Sequence, residues 1–388
     1  MSFSAEARTA GLHGPRAGSR ARGRAVARLV IEQLAEAAWD GTVAEFDDVC
    51  QEQLVAFASL RWPGVTLEPL VFRADAEIVG GALVMIQPLP LGLGALAVVK
   101  WAPMVKDTSS ADAADIYAGM IDALVLRYAD ERKMMLSVLA HAENGEVNSR
   151  FEHLTSRGFR AGSQLLFPNR YVVNLRLSDE ELRKSFAQKW RYHLNKSQKA
   201  DLTFEHAPME QFGTFDALYQ AMTDRKRFPD HSAYDTLGTL MTLPEEALRP
   251  ELFFVRHEGE AVAGAVIFKA GARAVYLYGA TNEAALPLRA GYFLHWQIIR
   301  WLRDNTRANW YDLGGTDGFQ GLHQFKKGMV GDRGFVTPVP AVANYASYWR
   351  AFLVGHGAFM ARELQQRAGR FVERVRRDMA TPDQERPQ

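Results

Sequence analysis

Three stretches decide how the chain is read: Tyr276-Leu277-Tyr278-Gly279-Ala280-Thr281-Asn282, then Leu288-Arg289-Ala290-Gly291-Tyr292-Phe293-Leu294-His295-Trp296, then Trp310-Tyr311-Asp312-Leu313-Gly314-Gly315. Ala274 to Gly279 reads as a strand, Ala290 to Asp304 as a helix ending in a polar stretch, and Trp310 to Leu313 as a short strand closed by two glycines. Working outward, Glu251 to Arg256 and Ala261 to Lys269 are strands around the turn His257-Glu258-Gly259-Glu260. Phe204 lies on a further strand, and Met209 to Lys226 and Tyr234 to Met241 read as helical. Strands interleaved with helices in this way make a mixed α/β unit.

The first half has the same layout. Thr66 to Arg73 and Ile78 to Gln87 read as strands around Ala74-Asp75-Ala76, and Leu96 to Lys100 as a third. Ile116, Met120, Leu124 and Tyr128 mark a helix from Asp112 to Tyr128. Met134 to Leu139 follows as a short buried strand, Val147 to Arg157 as a helix ended by Gly158, and Tyr171 to Arg176 as a strand leading out. Ser178-Asp179-Glu180-Glu181 has the form of a capping box, opening a helical segment from about Asp179 to Ala200. The architecture is duplicated without a sequence repeat of solenoid length.

Composition narrows the function. The 388 residues carry 46 basic and 45 acidic side chains, a net charge of +1, and are 47% apolar, enough for two sizeable cores. The longest apolar patch, Val79 to Ala97, is cut by Gly and Pro, which excludes a spanning helix. A single cysteine, Cys50, placed in a predicted helix, excludes a disulfide framework. No histidine pair has the i, i+4 spacing of a helical metal site, so no metal is expected. There is no Gly-x-Ser-x-Gly elbow, and Leu91-Gly92-Leu93-Gly94 matches no phosphate loop. The N-terminus lacks the apolar core of a secretory signal, and the expected compartment is the cytoplasm.

The helix after Ser178 places Leu182, Phe186, Trp190 and Leu194 on one stripe and Lys184, Arg191, Asn195 and Lys199 on another. The apolar stripe is core. Asp and Glu are absent from Lys184 to Ala200, so the basic stripe lacks partners on its own helix and is either a solvated face or a seat for an anionic ligand.

These elements, with Leu322-His323-Gln324-Phe325-Lys326-Lys327-Gly328, resemble the FemA/FemB/FemX family over about Val43 to Pro340, most clearly from Asp179 onward. The resemblance implies two tandem acetyltransferase-like (GNAT-type) domains. It further implies transfer of an aminoacyl group from aminoacyl-tRNA to an amine of a peptidoglycan precursor, with no cofactor. Phe325 and Lys326 match the segment lining the transfer site, where a lysine is thought to stabilise charge near the acyl ester. Aminolysis passes through an oxyanion, and a fixed cation lowers that barrier. Arg191 stands where the family places a base contacting the diphosphate of a nucleotide- or lipid-linked precursor. Two phosphates need at least two donors, and Asn195, Lys196 and Lys199 are nearest. Tyr278, Tyr292 and Lys327 would line the groove. Lys100-Trp101-Ala102-Pro103 stands where the family reads Gly-Pro, with Asp107 as an acidic neighbour.

An acyl-CoA-dependent N-acyltransferase is the alternative, and a non-catalytic membrane-surface or nucleic-acid adaptor a second one. Arg289-Ala290-Gly291-Tyr292-Phe293-Leu294 puts Tyr292 and Leu294 where a CoA cradle needs glycine. The expected domains are a disordered basic arm (1–28), a first GNAT-like domain (29–177, completed by about 320–345), a second (178–319), and a basic amphipathic helix with a polar tail (346–388). In that helix Leu353, Met360, Leu364, Phe371 and Val375 form an apolar stripe, which either packs on the domains or meets the inner face of a membrane.

Overall fold

The computed structural model describes residues 29–226 and 233–361; the basic arm at 1–28 and the tail beyond 361 lie outside them. The chain is mixed α/β, with two mixed sheets. β1 (Val30–Gln33), β2 (Thr66–Ala74), β3 (Glu77–Pro88), β4 (Ala95–Lys100), β5 (Met104–Val105), β6 (Met135–Leu139) and β7 (Arg160–Ala161) belong to the first. β8 (Asn169–Asn174), β9 (Thr203–Ala207), β10 (Glu251–His257), β11 (Glu260–Phe268), β12 (Arg273–Thr281), β13 (Trp310–Asp312) and β14 (Phe335–Pro338) form the second. β15 (Ala343–Tyr345) returns to the first. The strand orders are β1-β2-β3-β4-β6-β15-β7, with β5 against β3, and β14-β8-β13-β12-β11-β10-β9. Each sheet has one parallel pair, β4 with β6 and β12 with β13.

The two units interleave, which corrects the expected boundaries. β8 pairs with both β13 and β14, so the second unit begins at Asn169 and not at 178. Tyr171, Val172 and Val173 are fully buried, and a strand apolar on both faces belongs inside a sheet rather than on a path leading out of one. Of the segment 320–345, helix Gln320–Val330 and β14 serve the second unit; β15 alone completes the first, between β6 and β7.

The helical segment after Ser178 is also not continuous. The capping box forms, with Ser178 Oγ accepting from the Glu181 amide and Glu181 reaching back to the Ser178 amide. The helix ends at Ser185, Phe186 and Ala187 are extended, and a second helix runs Gln188–Ser197. The end of helix Gln320–Val330 occupies the break: the Ala187 amide donates to Gly328 O and the Asp332 amide to Ser185 O. The break takes Lys184 out of line with Arg191, and Lys184 pairs with Glu180 at 2.7 Å after all. Cys50 lies just before a short 3₁₀ turn, Gln51–Gln53, and not in a helix.

The units are fastened to each other. Asp47 O accepts from the Ala272 amide at 2.8 Å, and Arg307 donates to Asp47 Oδ1 and Phe46 O. Gly271 is in the left-handed region, and a Cβ there would lie 2.6 Å from Asp47 O, so only glycine lets the backbones meet. Phe268, Ala270 and Leu240 from the second unit pack into the first core with Phe46 and Val49.

Residues 349–361 form a helix seated against the first sheet. A Cβ at Gly355 would fall within 3 Å of Met135 and Leu96, so this glycine permits close packing. Leu353 and Met360 point outward, 59% and 47% exposed, so the expected stripe is not the packed face; its remainder, from Leu364, lies outside the described residues. Among the described residues no helix is long and apolar enough to cross a membrane.

Candidate active site

The site grows from an irregularity in β12. Opposite β11 the register slips, with Ile267 facing Tyr276 and Val266 facing Tyr278, so Leu277 is an extra residue. Such a bulge bends a strand and re-aims its side chains. Tyr276, Leu277 and Tyr278 all line one cavity as a result. Gly279 is required by its neighbour: a Cβ there would collide with the Tyr276 hydroxyl, which folds back over it.

β12 and β13 are paired over Arg273 to Val275 and Trp310 to Asp312, and then they part. Leu313 donates to Tyr171 O on β8, and Gly314 turns the chain in the left-handed region at φ 73°. Asp312 Oδ1 fixes that turn by accepting from the Gly314 amide at 2.8 Å. The ammonium of Lys326, from helix Gln320–Val330, enters the opening and donates to Leu313 O and Gly315 O, each at 2.5 Å. Its Nζ lies 5.8 Å from the Tyr276 ring centre. Lys326 is 6% exposed, and burial pushes its pKa down to about 8, opposed by Asp312 and Asp317. The two carbonyls favour the charged form.

The cavity measures about 510 Å³ and lies between the units. The first unit supplies Asp48, Trp101, His141 and Arg150; the second supplies Arg170, Arg273, Asp312 and Lys326. Trp101 stacks on His141 at 5.1 Å and donates to Glu52. Burial, followed by the charge of Arg273, holds the His141 imidazole well below its ordinary range. Behind Lys326, burial and then the ammonium itself push His295 down to about 3, and its Nδ1 meets the Tyr311 hydroxyl at 3.2 Å. Both imidazoles are therefore neutral and poor bases near pH 7.

The structure brings Lys326, Tyr278 and Trp101 together around the cavity. Phe325 and Tyr292 stand beside it in an aromatic group with Trp190, the two rings 4.9 Å apart. Arg191 is spoken for: it donates to Lys184 O and Phe186 O, closing the break between two helices, which accounts for a base there without any phosphate. Asn195 accepts from Arg183, and Lys196, Lys199 and Lys327 are exposed away from the cavity. Asp107 is exposed and accepts from the amide and hydroxyl of Ser109, forming a local turn; those bonds hold its carboxyl below the usual range. Sequence reasoning missed Arg170, Arg273, Asp312 and Tyr276 as site residues. Asp312 and Tyr276 lay inside the quoted motifs, whereas isolated arginines in strands carry no local signal. Among the described residues no group of three or more His, Cys, Asp or Glu is placed to hold a metal ion.

Residues 183–327 match the acetyltransferase (GNAT) domain family. No curated protein matches the chain in sequence. Its fold is similar to the crystal structure of FemX, with TM-score 0.65 and 17% identity over 82% of this chain and 97% of that one. It is similar to L-PGS from Bacillus licheniformis, with TM-score 0.51 and 14% identity over 84% of this chain and 96% of that one. The C-terminal (DUF2156) domain of an Agrobacterium fabrum protein assigned as a lysylphosphatidylglycerol synthetase aligns with TM-score 0.51 and 14% identity, over 84% and 97%. The chain thus has a tandem GNAT-like fold, with residues 183–327 matching the GNAT domain family and the whole similar in fold to FemX.

Proposed function

We propose that the chain transfers an aminoacyl group from an activated ester, aminoacyl-tRNA, to an amine of a peptidoglycan precursor or similar glycoconjugate held in the cavity between the units. The observation that carries this reading is the Lys326 ammonium, pinned by two main-chain carbonyls in the opening between β12 and β13. The amine nitrogen bonds to the acyl carbon, the ester C–O bond breaks, and one proton passes from the amine to the departing oxygen. Charge builds on the acyl oxygen in between, and a preorganised cation in a water-poor site is suited to stabilise it. The two cavity-side histidines, with their lowered pKa values, are poor candidates for the base that takes the amine's proton.

The donor side also favours an ester of a polyanion over acyl-CoA. The opening between β12 and β13 holds the Lys326 ammonium beside the Tyr276 ring, with His295 packed against that ring. Leu294 is buried at 2% and Tyr292 packs on Trp190 and His193, leaving no pair of glycines to cradle a pyrophosphate. Exposed Tyr192, Lys196 and Lys199 beside this aromatic group fit a nucleic-acid strand, since rings stack on bases and lysines meet phosphates. No cofactor is needed for this chemistry. Incubation with charged tRNAs and precursor peptides, read by mass spectrometry, tests the assignment. Acylated peptide is the expected product; product formed with acetyl-CoA and not with charged tRNA would overturn it.

A further inference from the structure

The acids lining the cavity are not fewer than its bases, yet two of its arginines lack a close acidic partner. Arg150 is neutralised by Asp48 at 2.6 Å and Glu143 at 3.5 Å, Asp47 is taken by Arg307, and Glu52 by Lys100. The Arg170 side chain makes no ion pair or hydrogen bond with any described residue; its guanidinium lies over the Trp101 ring at 5.3 Å. Arg273 donates through Nη2 to Ala142 O, but its Nη1 is buried without a hydrogen-bond partner, the nearest carboxylate oxygen being Asp312 Oδ2 at 3.9 Å. A buried donor left unpaired costs stability unless something else satisfies it. Arg170 and Lys326 also share a vacant corner. The point where a Cβ of Gly314 would stand is 3.5 Å from Arg170 Nη1 and 4.0 Å from Lys326 Nζ.

From these positions we infer that Arg170, with Arg273, forms a carboxylate-reading subsite, and that the acceptor carries a carboxylate on the carbon that bears the reacting amine. A guanidinium held over an indole and making no side-chain hydrogen bond to a described residue suits a planar carboxylate taken bidentately. The glycine corner admits a group one carbon away from the atom that Lys326 serves. An acceptor whose amine stands on a plain methylene leaves Arg170 and the Arg273 Nη1 unpaired, and a site with unpaired donors discriminates against such a ligand. The inference rests on the transfer reading above and specifies its acceptor.

The test compares two peptides of one sequence, differing at the acceptor side chain: lysine, ending in a methylene amine, and 2,6-diaminopimelate, in which that carbon also bears a carboxylate. Titration calorimetry of the full chain, with no donor present, is expected to show the diaminopimelate peptide binding about tenfold or more tightly, the scale of a charge-assisted hydrogen bond. Arg170→Gln is expected to bring the ratio to about one, with its melting curve confirming a folded chain. Equal binding of both peptides by the unaltered protein overturns the inference and needs no variant. Displacement of both peptides alike by inorganic phosphate, without preference between them, overturns it too, because the subsite then reads phosphate. Preferential binding without acyl transfer from charged tRNA leaves the subsite standing and removes the transfer reading alone.

Discussion

The two sheets share a strand layout and differ where their parallel pairs end. In the first, β4 and β6 stay in register from Leu96 and Met135 to Lys100 and Leu139. Trp101 then turns in the left-handed region and donates to Leu139 O, so that strand end is shut. In the second, β12 and β13 hold three residue pairs and separate. The gap is kept open by a bulge on one side and a glycine turn on the other, and Lys326 occupies it. Pairing gives the first sheet stability, and its loss gives the second a place for a buried cation. A duplicated fold therefore does not imply duplicated chemistry. The first unit works as a wall of the cavity, through Trp101, His141 and Asp48.

The contrast can be broken most severely at Lys326. Lys326→Met is expected to lower turnover by about 10²-fold or more, the scale of losing one oxyanion stabiliser, in a chain that still folds. Steady-state kinetics beside a melting curve decides it, and near-normal turnover would remove the lysine from the mechanism. In the unaltered protein the cation is lost as pH rises through about 8, so activity should fall on that alkaline limb. The Met variant's residual rate should lack it.

A matching change in the closed sheet should act on stability alone. Val99, fully buried in β4, cut to alanine leaves a cavity worth about 2 kcal/mol, seen in urea unfolding. Its kcat/KM should be unchanged; a loss beyond a few-fold would mean that the first sheet does more than support. Arg191→Ala removes bonds to two carbonyls and should cost about 1 kcal/mol. Acceptors with and without a diphosphate should respond alike to it, and a selective rise in KM for the phosphorylated one would restore a binding role. Smallest of all, Asp107→Asn should leave turnover within error, because its carboxylate serves only the Ser109 turn.

How far the sequence could be read follows from the range of each signal. The strands around β2 and β3, or β10 and β11, announce themselves through apolar runs and a turn between neighbours, and their pairing is local. Lys326 was singled out by the family resemblance that Phe325-Lys326-Lys327 carries, and it lines the cavity. β15 was not, since three residues, Ala343 to Tyr345, carry no period, and their partners lie some two hundred positions earlier in β6. Arg170 and Arg273 are brought to one cavity by sheet topology across a hundred residues, which no spacing rule reports. The continuous helix expected after Ser178 failed for a related reason: Gly328 and Asp332, remote in sequence, bond into its middle.

The return of β15 has a consequence for synthesis. Among the described residues β7 pairs with nothing except β15, and β6 meets only β4 on its other side. Until residue 345 has left the ribosome, the first unit carries an open strand edge at β6 and an unanchored β7, even though most of its core is already in hand. Open edges invite pairing with other chains. Synthesis from the N-terminus thus leaves the earlier half unfinished until the later half exists, so the two are expected to mature as one folding event, and a chain cut between the units would expose the edge that β15 normally seals.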